Sequence, residues 1–128
     1  MQAGDVILIY DGTIRSPKHK RFVCVVAAEG WFLRINSERH FRPHLLIIAR
    51  DNRECLDYDS FIELRGIIEY DIDGVVSALD CSDARILGRL SSDTVKKLIV
   101  AVQSAATFTS MESVTIVESL KAAYGFTV

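Results

Sequence analysis

KRFVCVVAAEGWFLRIN, residues 20–36, is the stretch on which the fold turns. Lys20 to Ala28 and Trp31 to Asn36 are short runs rich in Val, Phe and Ile, whose branched or flat side chains suit a pleated surface. Between them Glu29-Gly30 is a two-residue turn signal, and two β-rich runs joined in this way read as an antiparallel hairpin. Outward from the hairpin the first half continues in the same style. DVILIY (Asp5 to Tyr10) is a strand broken by Asp11-Gly12, and a polar, basic loop with Pro17 inside it runs from Thr13 to His19. A second basic loop, Ser37 to Pro43, leads to HLLIIA (His44 to Ala49), a turn at Asp51-Asn52, and shorter β-like pieces at Ser60 to Leu64 and Gly66 to Tyr70.

The second half changes period. Ser91-Ser92-Asp93 supplies an N-cap and a first-turn acid, and Val95, Leu98, Ile99 and Val102 then recur at helical spacing to about Ala106. Thr109 with Glu112 is a capping-box pair, and Val114, Val117, Leu120 and Ala123 carry a last helix to the stop at Gly125. Strands joined by tight turns and followed by helices predict an α+β, mainly β chain. The expected shape is a small antiparallel barrel or strongly curved sheet over about residues 4–90, with helices packed outside it over about 91–125. At 128 residues the chain is expected to be a single domain with one real core.

Composition narrows the class. With 49% apolar and 25% charged residues, the chain can bury enough surface to fold, which excludes general disorder. No apolar run approaches the roughly 18 residues of a membrane span, so no membrane partner is expected. The opening MQAGDVILIYDG has no basic stretch ahead of its apolar run, and no signal peptide is expected. Cys24, Cys55 and Cys81 are widely spaced and form no CxxC pair, which indicates neither a zinc site nor a disulfide frame. Together these point to a reducing cytoplasm, with Cys24 a small core residue. No Gly-rich phosphate loop, GxSxG or HExxH is present. EYDIDG (Glu69 to Gly74) has part of the order of a calcium loop but lacks its full spacing and terminal Glu. Asp57, Asp59, Asp71, Asp73, Asp80 and Asp83 therefore read as turn and helix-start residues, and no metal or cofactor is expected.

Charge is distributed unevenly. Residues 1–53 carry nine Lys or Arg against five acids, a balance of +4, and the remainder carries −6, for a net charge of −2. A phosphate backbone responds to a local basic patch rather than to the net charge, so a nucleic-acid partner stays open; so does a surface on which the two signs interleave. Two loops hold the candidate groups. IRSPKHKR (residues 14–21) contains Arg15, Lys18, His19, Lys20 and Arg21, and INSERHFRPH (residues 35–44) contains Ser37, Arg39, His40, Arg42 and His44. Phe22, Trp31, Phe32 and Phe41 flank them. Cations beside flat side chains suit single-stranded RNA, with Arg15, Lys18, Lys20, Arg39 and Arg42 as phosphate contacts. Metal-free cleavage of RNA requires a base for the 2′-OH proton, a proton for the leaving 5′-oxygen and a cation for the charged intermediate. His19, His40, Arg21 and Arg42 are of the types these roles demand.

The arrangement resembles the MazF/PemK (Kid) family of toxin endoribonucleases. GDVILIY (Gly4 to Tyr10) looks like the family's first strand, KRFVCVV (Lys20 to Val26) like the Arg-Pro-apolar run opening its second, and FLRINS (Phe32 to Ser37) like the strand ending in Thr-Ser or Ser. ILGRLSSDTVKKL (Ile86 to Leu98) looks like its closing Ile-Gly-x-Leu-Ser segment. The resemblance implies an SH3-like barrel, a homodimer, metal-independent cleavage of single-stranded RNA and a cognate antitoxin that occupies the RNA groove. By position, Arg21 matches the family's catalytic Arg and Ser37 its hydroxyl residue; His19 or His40, of the residue type suited to proton transfer near neutral pH, is the expected proton acceptor. The chain departs from the pattern at Phe22, which stands for the Pro, at Asn36, which stands for the Thr, and in RSPKHK, which replaces the usual Gly-rich, Gln-containing loop. Thr107 to Val128 extends beyond a minimal member. Two other readings remain open: a non-catalytic barrel that binds RNA or a peptide, and a gyrase-inhibiting toxin of the CcdB kind.

Overall fold

Strand runs that are apolar at successive positions, such as Phe22 to Val26, have no polar face to give to solvent, so both faces of their sheet must be covered. The computed structural model describes residues 1–11, 18–38 and 42–126, and of Asp11 and Lys18 the backbone alone. The candidates Arg15, Arg39 and His40, together with Phe41, lie outside the described residues. The elements are β1 (Asp5–Asp11), β2 (Lys18–Val26), β3 (Trp31–Asn36), β4 (His44–Ile47), β5 (Ser60–Glu63), β6 (Ile68–Glu69), α1 (Ile72–Asp80), β7 (Ala84–Arg89), α2 (Ser92–Ser104) and α3 (Ser110–Tyr124).

The class is α+β, as expected, but the sheet is not a closed barrel. Its seven strands are antiparallel in the order β4-β5-β3-β2-β1-β7, with β6 also pairing β3. β4 pairs with β5 and β7 with β1, and no pairing among the described residues joins β4 to β7. The physical reason is the two-sided burial. Val6, Val23, Leu33 and Ile35 face one core, which α2 and α3 close with Val95, Leu98, Ile99, Val102, Ile116, Val117 and Leu120. Ile7, Phe22, Cys24 and Phe32 alternate to the other face and meet Val75 of α1. There Phe22, Phe32 and Tyr70 form an edge-on aromatic cluster with centroids 5.5–6.4 Å apart.

Local signals hold at the helices. Ser91 caps α2 through its hydroxyl, which accepts from Thr94 N, and Thr109 and Glu112 make the reciprocal capping box of α3. Gly125 ends α3 in the left-handed conformation, φ 68°. Val95, Leu98, Ile99 and Val102 are buried as their spacing demands, whereas Val114 is exposed and Ile116 takes its place in the core. α1 and β7 lie where the sequence pattern signals neither helix nor strand. Of the acids that read as turn and helix-start residues, Asp71 is the N-cap residue of α1 and Asp73 lies in its first turn. The hairpin loop is four residues, 27–30, rather than two. β2 begins at Lys18, so Lys18 and His19 belong to a strand and not to the loop before it.

None of the three cysteines is in a disulfide. Burial, with Asp5 adding to it and the amino terminus opposing, pushes the Cys24 thiol up to about 12. Burial, with Glu54 adding and Arg21 opposing, pushes Cys55 up to about 11. A thiol reagent at pH 8 is therefore expected to label exposed Cys81 at once, and Cys24 and Cys55 only after denaturation. An unfolded chain releases these two protons near pH 9, while the folded chain keeps them. Stability is therefore whole below that pH and falls as pH climbs from 9 toward 11–12. Urea midpoints at about pH 8 and pH 10 check the sign.

Candidate functional site

Register places the candidate residues before any side-chain detail does. Leu8 pairs with Arg21, Arg21 with Ile35 and Ile35 with Ile62, so Arg21 sits in a cross-strand row on the α2/α3 face of the sheet, one step beyond buried Val23. Its side chain is only 22% exposed. The aliphatic stem lies in an apolar row and the guanidinium emerges at the margin of the core, a typical solution for a long cationic side chain.

There it meets the segment between β4 and β5. Arg21 Nη2 is 3.6 Å from Asp57 Oδ2, and the guanidinium carbon is 5.1 Å from the centre of the Tyr58 ring. Nη1 is buried with no hydrogen-bond partner among the described residues. Asp57 is 87% exposed, so this ion pair contributes little stability, about 0–1 kcal/mol. Asn52 anchors the segment. Its Nδ2 donates to Ile48 O and to Thr94 Oγ1, each at 2.9 Å, and its Oδ1 accepts from Ser91 N at 2.8 Å. The turn is thereby tied to the start of α2, and the Cys55 and Leu56 amides donate back to Asn52 O.

A cleft of about 330 Å³ opens at this margin, lined by Leu8, His19, Lys20, Arg21, Ile35, Asn36, Ser37 and Tyr58. It brings together four of the residues singled out in the sequence: His19 and Lys20 just before Arg21 in β2, and Ser37 just after β3. His19 is exposed, with Tyr10 opposite it across β1 and β2 and ring centroids 5.3 Å apart. Asn36 Nδ2 donates to Glu63 Oε1 at 2.8 Å, which fixes the amide beside Ser37. A wider depression, about 700 Å³, adjoins the cleft across Leu8 and His19 and runs to Leu79, Arg85 and Ile86.

Of the other expected site residues, Arg42 is the one whose side chain is among those described. Arg42 is exposed before β4 and does not line the cleft. Phe22 and Phe32, which as flanking aromatics suggest base stacking, are fully buried on the α1 side and unreachable from solvent, and Trp31 packs against the α2/α3 core. Tyr58, Asn36 and Asp57 are site residues that sequence reasoning misses; an aromatic ring inside a polar turn, Leu56-Asp57-Tyr58-Asp59, is the signal available for Tyr58. One ion pair joins the two charge halves of the sequence, Asp57 of the acidic half to Arg21 of the basic half. Among the described residues no group of three or more His, Cys, Asp or Glu is placed to hold a metal ion, and no helix is long and apolar enough to cross a membrane.

Chemically, the cleft offers a partly desolvated guanidinium, an ammonium, an imidazole and a hydroxyl around one opening. These are donors and cations suited to a phosphodiester, plus one group of a type able to exchange a proton near neutral pH. Comparison of the chain with protein-family models finds no match, and comparison with curated protein sequences finds none either.

Proposed function

We propose that this cleft binds single-stranded RNA and cleaves it without a metal ion, and that the chain acts as the endoribonuclease toxin of a toxin–antitoxin pair. What supports the reading is the convergence of His19, Lys20, Arg21 and Ser37 on one opening, although two different strand ends supply them. In the proposed step, His19 takes the 2′-OH proton, the 2′-oxygen attacks phosphorus, and the bond from phosphorus to the 5′-oxygen breaks. The products are a 2′,3′-cyclic phosphate and a 5′-hydroxyl that takes its proton from solvent. Arg21 stabilises the extra charge on the phosphorane, Ser37 donates to a non-bridging oxygen and Lys20 holds a neighbouring phosphate. The expected partners are the RNA, a second copy of the chain and a cognate antitoxin covering the cleft, in the cytoplasm.

The test is incubation of unstructured RNA with the protein in EDTA, with the product ends identified. Cyclic phosphate and 5′-hydroxyl ends support the reading. Tight RNA binding with no product would transfer the cleft to the non-catalytic binding reading. Activity that requires added metal would overturn the proposed chemistry.

The electrostatic part has its own consequence. Lys20→Ala is expected to weaken RNA binding and to reduce the slope of log affinity against log salt by about 0.7, the value of one phosphate contact on a single strand. Arg42→Ala, at an exposed position that does not line the cleft, is expected to change the slope by less. Fluorescence anisotropy titrations over a range of salt concentrations measure both.

A further inference from the structure

We propose that Tyr58 is a nucleobase platform: an unpaired base of the bound strand stacks on its ring while the adjoining phosphate rests on Arg21. The inference rests on the RNA-binding reading of the cleft and deepens it, by naming the part of the nucleotide that this end of the opening recognises.

Three observations carry it. Tyr58 is the only phenyl or phenol ring lining the cleft among the described residues, and it is 49% exposed. Its ring already packs against the Arg21 guanidinium, 5.1 Å from the ring centre, so a base plane and a phosphate-binding cation stand side by side. The backbone that carries the ring is also held in the turn. Ser60, itself buried, donates its hydroxyl to Tyr58 O at 3.0 Å, and Asp59 accepts from Ala49 N at 2.9 Å. With Asn52 tied to the start of α2, the turn is pinned on both sides of Tyr58. An aromatic ring kept half in solvent on a pinned backbone loses little entropy when a flat ligand stacks on it. Asp57 does not block this arrangement, because its carboxylate is mostly solvated and gives way to a phosphate at small cost.

Stacking on Tyr58 requires a base that is free of a partner strand. The platform would thus make the cleft prefer single-stranded over duplex RNA, independently of base identity.

The test compares two fluorescently labelled probes by anisotropy: a 2′-O-methyl RNA oligonucleotide, which cannot be cleaved by 2′-OH attack, and an abasic strand of the same length. Tyr58→Ala is expected to weaken binding of the base-bearing strand roughly ten-fold, the value of one stacked base, while changing affinity for the abasic strand less than about two-fold. Tyr58→Phe, which keeps the ring, is expected to bind both probes as the unmodified protein does. An equal loss on both probes would mean that Tyr58 only orders Arg21, and no loss on either would mean that no base stacks there; each overturns the inference. Failure of the underlying reading looks different. Either the unmodified protein binds neither probe, or Arg21→Ala leaves both affinities unchanged, and the platform then falls with the cleft. Thermal melting of each variant confirms that it is folded.

Discussion

Under the proposed metal-free cleavage, Arg21→Ala is expected to reduce RNA cleavage roughly a thousand-fold, to the background of the assay, while the chain stays folded. The size follows from the role: removing a donor aimed at charge that develops in the transition state typically costs about 10²–10³-fold, and arginines on a transferring phosphoryl group about 10³–10⁵-fold. The fold is expected to survive because the polar contacts of Arg21 are few, and what alanine removes is the packing of its stem. Its ion pair is to an exposed carboxylate 3.6 Å away, and Nη1 is buried without a hydrogen-bond partner among the described residues. Circular dichroism should therefore stay that of the unmodified chain, with a melting temperature lowered by the lost packing of the stem but still cooperative. Arg21→Lys is expected to recover little activity, because a point charge on a flexible stem does not reproduce a planar fork stacked on Tyr58. Full activity in a folded Arg21→Ala protein would falsify the assignment.

Gly30→Ala is expected to destabilise the fold by about 3 kcal/mol, lowering the melting temperature by roughly 10 °C. Gly30 closes the β2–β3 hairpin loop at φ +66°, a conformation that costs an L-residue about 1–2 kcal/mol. The space is also occupied: a Cβ there would lie 2.0 Å from Tyr70 O. The alanine can be accommodated only by moving the chain at the entry to α1, which disturbs the 2.9 Å bond from Tyr70 N to Gly30 O and the seat of Tyr70 against Phe22 and Phe32. Gly66→Ala is the control. Nothing lies within 4 Å of the place a methyl group would take at Gly66, and its φ is not left-handed, so stability should change by less than about 0.5 kcal/mol. Urea denaturation followed by the fluorescence of Trp31, the one tryptophan, measures both. Equal midpoints for Gly30→Ala and the unmodified chain would show that the loop relaxes freely and that this close approach is unimportant.

What the sequence determined by itself is what local chemistry encodes. The N-cap at Ser91, the capping box of Thr109 and Glu112, the stop at Gly125, the buried stripe of Val95, Leu98, Ile99 and Val102, and the first four strands are all set by residues within a few positions of one another. Periodicity and capping act at that range, so they survive without knowledge of the fold. α1 escaped because its apolar stripe is short and interrupted by Gly74 and acids; what stabilises it is Val75 packing in one cluster with Phe22 and Phe32 on the face of the sheet that α1 covers, which no local pattern contains. Openness of the sheet escaped for a related reason. A strand run apolar at every position calls for cover on both faces, but only the positions of α1 on one side and α2 and α3 on the other show how that demand is met.

The candidate site divides along the same line. Residue types in two basic loops, with the family resemblance for Arg21 and Ser37, singled out nine candidates, of which His19, Lys20, Arg21 and Ser37 line one cleft. Their meeting in one cleft depends on the register that sets Arg21 opposite both Leu8 and Ile35. The flat side chains were legible as aromatic but not as inside or outside: alternation along β2 and β3 sends Phe22 and Phe32 to the α1 core. The ring left beside Arg21 comes from Tyr58, far along the chain in the turn before β5. Side-chain chemistry is a property of the residue, whereas proximity is a property of the folded chain, and only tertiary structure decides which cation stands beside which ring.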